Sequence, residues 1–261
     1  MTVPRFGMMN NPSKPLLDEI RAAKGYGCDF LDLTLEPPET GAETFDIAAC
    51  RDALAAAKLP ITAHTGWHLP GAAAYPEVRR GVTESLLWAA KHFVSLGAKT
   101  MTYHIQGSVA KYIGRRAAIA AQVETLRPVV EWCGSRDLRV VLEHVTGTDD
   151  QFEILDGLFE ALPPLGFHLD AGHANLSEGE GNRTGEFLRR YGSRLAHVHF
   201  SDNRGRHDDH MPLGVGTVPW DEVVSHLKKL RYEGTVTLEV FASDPRYFAT
   251  SLAIARGWWA S

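Results

Sequence analysis

RVVLEHVTGTDDQFEILDGLFEALPPLGFHLD, residues 139–170, is the stretch on which the fold turns. It opens with an apolar, β-branched run (139–145), crosses a helical segment (150–161) and closes on a second apolar run (166–170). Strand, helix and strand in about 30 residues make one βαβ unit, and such units build parallel sheets. Both runs are apolar until their ends, where each meets an acid, Glu143 and Asp170.

The same alternation extends in both directions. Further strands are expected at 5–8, 30–35, 61–65, 100–105, 196–200 and 236–240. Between them, 44–58, 77–96 and 115–135 show the clearest 3.6-residue periodicity, with Ala and Leu on one face and Arg, Lys or Glu on the other. Remaining helices are expected at 14–25, 184–191, 221–230 and 245–256. Gly27 and Gly97 read as helix stops just ahead of strands. Eight such units in 261 residues favour a closed barrel over an open doubly wound sheet. No GxGxxG opens the first helix, which agrees. With no linker or low-complexity segment, residues 1–261 read as a single (β/α)₈ TIM-barrel domain.

A net charge of −5 weighs against a nucleic-acid partner, which usually meets a strongly basic face. The three cysteines, Cys28, Cys50 and Cys133, form neither a CxxC pair nor a disulfide framework, and they suit a reducing cytoplasm. The first residues lack the charged-then-apolar pattern of a signal peptide, and no apolar run approaches the length of a membrane span.

In a barrel, alternate strand residues point inward, and those at the C-terminal strand ends line the active-site mouth. Read to their ends, the strands give ITAH (His64), TMTYH (His104), VVLE (Glu143), FHLD (Asp170), AHVH (His199) and VTLE (Glu239). Six ends therefore carry metal-competent or acid–base side chains directly after apolar runs. Burying a carboxylate costs several kcal/mol unless a metal or partner compensates it. Two spacings add to the set: Asp170 with His173 where a strand turns into a loop, and Asp208 with His210 on the loop after the seventh strand. Neutral imidazoles mixed with carboxylates suit Zn²⁺, Mn²⁺, Fe²⁺ or Co²⁺.

Other polar residues have plainer readings. His92 and His226 lie on helices as surface or interface residues, and His144 points to the face opposite Glu143. His168 and His197 share the inward parity one layer deeper, as hydrogen-bonded core residues. His68 and His207 lie on loops near the mouth as candidates for substrate contact, and Glu36 ends the second strand in the parity of Asp32 and Thr34. LGVGTVPW (213–220) has the look of a phosphate loop but reads as a turn. Trp258 and Trp259 are expected to close the bottom or side of the barrel, or to form a homo-oligomer contact.

With these residues in place, the chain resembles the xylose isomerase-like TIM barrel superfamily, which holds sugar and sugar phosphate isomerases and epimerases and the endonuclease IV class of apurinic-site nucleases. The resemblance runs over nearly the whole chain and rests on LGAKTMTYH, VVLEH, FHLDAGH, HVHFSDN, HDDHMPLGVG and TLEV. In the isomerases and epimerases it implies one metal held by Glu143, Asp170, His199 and Glu239, with the two glutamates as acid and base on opposite faces of the sugar. In the nuclease class it implies a trinuclear zinc cluster that adds His64, His104, His173, Asp208 and His210. All nine positions are filled.

Three functions follow as expectations. The first is a metal-dependent isomerase or epimerase of a sugar, sugar phosphate or related hydroxy-carbonyl compound. There Glu143 and Glu239 move a proton through a metal-stabilised enediolate, His173 orients a substrate oxygen, and the ion is of Mn, Co or Mg type. The second is a phosphodiesterase of the endonuclease IV type with two or three zinc ions. The acidic balance and a mouth whose only basic loops are 111–116 and 203–207 stand against it. The third, a metal-stabilised binding protein without turnover, conflicts with an intact pair of opposed glutamates.

Overall fold

The computed structural model describes residues 3–105 and 112–260. Its eight strands are β1 (Arg5–Met9), β2 (Phe30–Leu35), β3 (Ile61–Thr65), β4 (Thr100–His104), β5 (Arg139–Glu143), β6 (Gly166–Asp170), β7 (Leu195–Phe200) and β8 (Thr235–Leu238). Each is followed by a helix: α1 (Leu16–Tyr26), α2 (Ile47–Ala57), α3 (Pro76–Ser95), α4 (Arg115–Gly134), α5 (Asp149–Ala161), α6 (Thr184–Tyr191), α7 (Trp220–Lys229) and α8 (Pro245–Ala260). All pairings are parallel, consecutive strands are neighbours, and β8 pairs with β1 to close the barrel. The expected (β/α)₈ barrel forms.

Local chemistry sets the element ends. Gly27 and Gly97 take φ of 74° and 85°, the left-handed conformation that ends α1 and precedes β4. The helix expected from residue 44 begins at Ile47, because the Asp46 carboxylate accepts from the amides of Ala48 and Ala49, both at 3.0 Å, and caps it. The strand expected to run to residue 145 stops at Glu143. There His144 turns outward and stacks on Phe187, ring centroids 3.9 Å apart. The last strand ends at Leu238, yet the Glu239 amide still donates to the Phe200 carbonyl at 3.0 Å, so Glu239 keeps its inward parity.

Helices cover the outside of the barrel. Val82, Leu86, Ala89 and Phe93 of α3 lie at helical spacing and are buried together. Outward strand residues such as Leu31, Leu33, Val140, Leu142, Phe167, Val198 and Val236 fill the layer between sheet and helices. Trp259 packs edge-on to Phe6 at 5.6 Å and Trp258 stacks on Trp220 at 5.2 Å. The tryptophan pair thus seals the side of the barrel. His92 and His226, read as surface or interface residues, are half-buried between helices. His92 lies against Phe45 and Trp88, and His226 lies against Gly185 of α6. Among the described residues no helix is long and apolar enough to cross a membrane.

The inside is filled differently. Barrel interiors are usually layers of branched aliphatic side chains. Here the middle of the barrel holds Asp32, Thr102, His168, His197, Thr235 and Thr237, all buried and linked by hydrogen bonds. Below them the Phe30 ring sits edge-on to His197, at 6.1 Å. Gly7 makes room for it: a Cβ at that position would lie 2.6 Å from the Phe30 carbonyl and 2.7 Å from its ring. Gly7→Ala should therefore cost about 1–3 kcal/mol through overpacking. Thermal denaturation would show a lowered Tm with an unchanged circular dichroism spectrum, and an unaltered Tm would mean that the Phe30 ring yields freely.

Candidate metal centre at the barrel mouth

Glu143, at the end of β5, has no exposed surface and lies at the centre of the site. One of its oxygens, Oε2, is 3.1 Å from His64 Nε2, 3.0 Å from His104 Nε2 and 3.3 Å from His168 Nδ1. Its other oxygen, Oε1, is 3.5 Å from His199 Nδ1 and from His173 Nδ1. His199 Nδ1 in turn lies 3.7 Å from Asp170 Oδ2 and 3.2 Å from Glu239 Oε2. Further out, Asp208 Oδ2 is 3.1 Å from both His173 Nε2 and His210 Nε2. The nine residues expected from the sequence meet in one place as three linked groups around Glu143, His199 and Asp208. His68 stands apart: its side chain is 61% exposed and its Nδ1 lies 3.1 Å from Glu36 Oε1 at the rim.

Hydrogen bonds fix which ring nitrogens face the site. His199 Nε2 donates to Asp32 at 2.9 Å, which leaves the Nδ1 lone pair toward Glu143, Asp170 and Glu239. His173 Nδ1 donates to the His144 carbonyl at 2.8 Å, which leaves the Nε2 lone pair toward Asp208. A lone pair facing carboxylates is repulsive unless a cation lies between them. Glu143 Oε1 and Asp170 Oδ2, both buried, have no hydrogen-bond partner. These donors fit a divalent ion: Glu143, Asp170 and His199 place ligand atoms within 4.8 Å of one another, as do His64, His104 and Glu143. The deeper trio His168, His197 and His199 is equally close. However, His197 is committed through Nε2 to Asp32 and through Nδ1 to Thr235 Oγ1 at 2.6 Å, as the core reading of this residue expected.

Electrostatics agree with a site built for cations. Burial alone would push the Glu143 carboxyl up, but His104, His168 and His199 hold it well below the ordinary value. Burial pushes the Asp170 carboxyl up to about 6, helped by Glu143 and Glu239. Burial opposes the charged form of His199, His173 and His210, but the surrounding carboxylates outweigh it. His199 and His173 are held well above the ordinary imidazole range, and His210 is raised to about 9. In the metal-free protein, protons on these rings occupy the place of a cation.

Above the cluster opens a cavity of about 520 Å³, with Trp67, Val145 and Phe241 on its apolar wall and Glu36, Asp208 and Glu239 among its polar groups. No Lys or Arg lines it among the described residues. Of the two basic loops, Arg204 and Arg206 are exposed, and Lys111 lies outside the described residues. The 213–220 loop is indeed a turn. Its amides at Gly214 and Val218 and the Trp220 indole donate to the buried Asp202 carboxylate at 2.8, 3.2 and 3.0 Å, so its anion is internal. The residue that sequence reasoning passed over is Asp32, whose signal was a charged residue of inward parity inside FLDLTL.

A metal-competent cluster at the C-terminal mouth of such a barrel defines a class, and comparison identifies the family. The xylose isomerase-like TIM barrel family matches residues 20–258, and the chain belongs to it. It is 26% identical to an L-ribulose 3-epimerase from Methylomonas sp. (strain DH-1), over 92% of this chain and 84% of that protein. It is also 37% identical to an uncharacterised protein of Methanocaldococcus jannaschii, over 75 residues that make up 29% of this chain and only 25% of that protein. The crystal structure of a D-tagatose 3-epimerase-like protein superposes with a TM-score of 0.82 at 21% identity, covering 98% of this chain and 97% of the other. That likeness bears on the fold.

The raised histidines set a pH dependence. A raised folded pKa contributes stability that is fully present below the unfolded value, about 6.5, and is lost as pH rises through the folded value. The metal-free protein should therefore lose stability between roughly pH 7 and the His210 value of about 9. Metal binding, which requires deprotonated rings, should strengthen over the same window. Thermal denaturation with chelator and with Zn²⁺ checks this, and a Tm gap that does not widen from pH 6.5 to 9 would contradict it.

Proposed function

We propose that the protein is a divalent-metal-dependent sugar epimerase or isomerase, with Glu143 and Glu239 as its acid–base pair. One observation carries the reading: both carboxylates converge on His199 Nδ1, at 3.5 and 3.2 Å, with Asp170 Oδ2 beside them at 3.7 Å. The L-ribulose 3-epimerase relative supports it. Glu143, Asp170, His199 and Glu239 would hold the ion. A divalent ion bound there would polarise a substrate carbonyl and acidify the neighbouring C–H. One glutamate takes that proton and the other delivers one, so the carbon is inverted or the carbonyl moves to the adjacent carbon. His173, anchored through Nδ1, orients a substrate oxygen, and His68 with Glu36 contacts substrate at the rim. The apolar wall and the lack of Lys or Arg among the described lining residues favour an uncharged sugar over a phosphorylated one.

Further donor groups support a reading with more than one ion. His64 and His104 flank Glu143, and His173 and His210 flank Asp208, at 3.0–3.1 Å. Two nitrogens beside each carboxylate suit Zn²⁺, Mn²⁺, Co²⁺ or Fe²⁺ better than Mg²⁺, which prefers an all-oxygen shell. This is the specific observation behind the phosphodiesterase reading, which the absence of Lys and Arg among the described lining residues ranks second. Free, buried Cys28, Cys50 and Cys133 suit a cytoplasmic setting.

Elemental analysis of protein purified without chelator should give one to three divalent ions per chain, and three zinc ions with cleavage of abasic DNA would put the second reading first. With L-ribulose or D-allulose in heavy water, the wild-type enzyme should incorporate deuterium at the inverted carbon. Glu239→Gln should cut turnover by about 10²–10⁴-fold with the fold retained. Full activity in that variant would remove the acid–base assignment.

A further inference from the structure

Asp32 lies on β2 one layer below the mouth, fully buried, and does not line the cavity. Its Oδ2 receives three donors: His197 Nε2 at 2.9 Å, His199 Nε2 at 2.9 Å and Thr237 Oγ1 at 2.8 Å. Among the described residues, the groups paired with it are two imidazoles and a hydroxyl, with no Lys or Arg in its ion pairs. A buried carboxylate in such company is costly unless its charge is used.

We infer that Asp32 is the positioning residue of the metal centre: it fixes the tautomer and ring orientation of His199 so that, with an ion bound, the Nδ1 lone pair and no hydrogen faces Glu143, Asp170 and Glu239. The inference rests on the reading of His199 as a ligand. A carboxylate on the far nitrogen of a ligating imidazole locks the ring and increases the basicity of the donor nitrogen. His197 completes the arrangement from the other side. Its Nδ1 accepts from Thr235 Oγ1, so its Nε2 carries the hydrogen that Asp32 accepts. One oxygen of Asp32 thereby ties β2 to β7 and β8 across the barrel and aims a single ring nitrogen upward. The alternative, a carboxylate that merely holds strands together, makes no demand on which nitrogen of His199 carries the hydrogen.

The test compares wild type with Asp32→Asn and Thr237→Val. Asp32→Asn changes the acceptor of all three bonds, the one to His199 included, whereas Thr237→Val removes one donor to the same buried oxygen and leaves the bond to His199 in place. Co²⁺ is titrated in competition with a chelator, and its visible absorption is recorded. Asp32→Asn should bind Co²⁺ about 10–100-fold more weakly, with an altered spectrum, while Thr237→Val keeps the wild-type affinity and spectrum. Equal weakening in both, or an unchanged Asp32→Asn, overturns the positioning role while wild-type binding leaves the metal site standing. If wild type itself binds no Co²⁺, the ligand reading falls and this inference with it. Should Asp32→Asn fail to fold, ¹⁵N NMR of the Zn²⁺-loaded wild type decides. His199 carrying its hydrogen on Nε2 supports the assignment, and a hydrogen on Nδ1 overturns it.

Discussion

A carboxylate with no exposed surface, Glu143, sits at the centre of this barrel's mouth. Five imidazoles face its two oxygens: His64, His104 and His168 on one, His173 and His199 on the other. That arrangement dictates what the ends of the neighbouring strands can be. An aliphatic residue in place of His64, His104 or His199 would take away one of these partners, and removing a partner of a buried charge is far costlier than never burying it. Two of the histidines in turn meet further acids: His173 meets Asp208, and His199 meets Asp32, Asp170 and Glu239. The site is therefore a closed set of mutual requirements, in which cations, whether protons or metal ions, balance an excess of negative charge.

Much of this was legible in the sequence because the barrel turns strand ends into positions around one cavity. A run such as VVLE or FHLD, apolar until its last residue, marks both a buried strand and a polar group at its mouth. The same rule supplied His64, His104, His199 and Glu239, and the short spacings supplied His173, Asp208 and His210. What stayed hidden depends on contacts between residues distant in the chain. Asp32 meets His197 and His199 across the barrel, 165 and 167 residues away. Asp202 captures the amides of a loop that otherwise resembles an anion cradle, and nothing in LGVGTVPW announces it. Element ends were blurred where two signals compete. Thr44 is as good a cap by type as Asp46, but its hydroxyl is taken by the Pro38 carbonyl at 2.7 Å.

Family membership and geometry speak to different levels of function. The family and the barrel set the mouth as the place of reaction, and the paired glutamates around His199 bear on which reaction. The rim, with Trp67, Phe241 and the Glu36–His68 pair, is where a substrate would be told from its relatives. It is built on loops, which change without disturbing the cluster beneath.

The polar filling of the barrel has a bearing on how such a protein can vary over evolutionary time. Its cohesion comes from the outer layer, where Leu33, Leu142, Phe167 and Val198 meet the helices, and there one apolar side chain can be exchanged for another singly at modest cost. Inside, Asp32, Thr102, His168, His197, Thr235 and Thr237 are each the hydrogen-bond partner of another. A change at one inward position strands its neighbours, so these positions can drift only in concert. Tolerated single changes are thereby channelled to the shell and the rim, where each disturbs fewer linked partners.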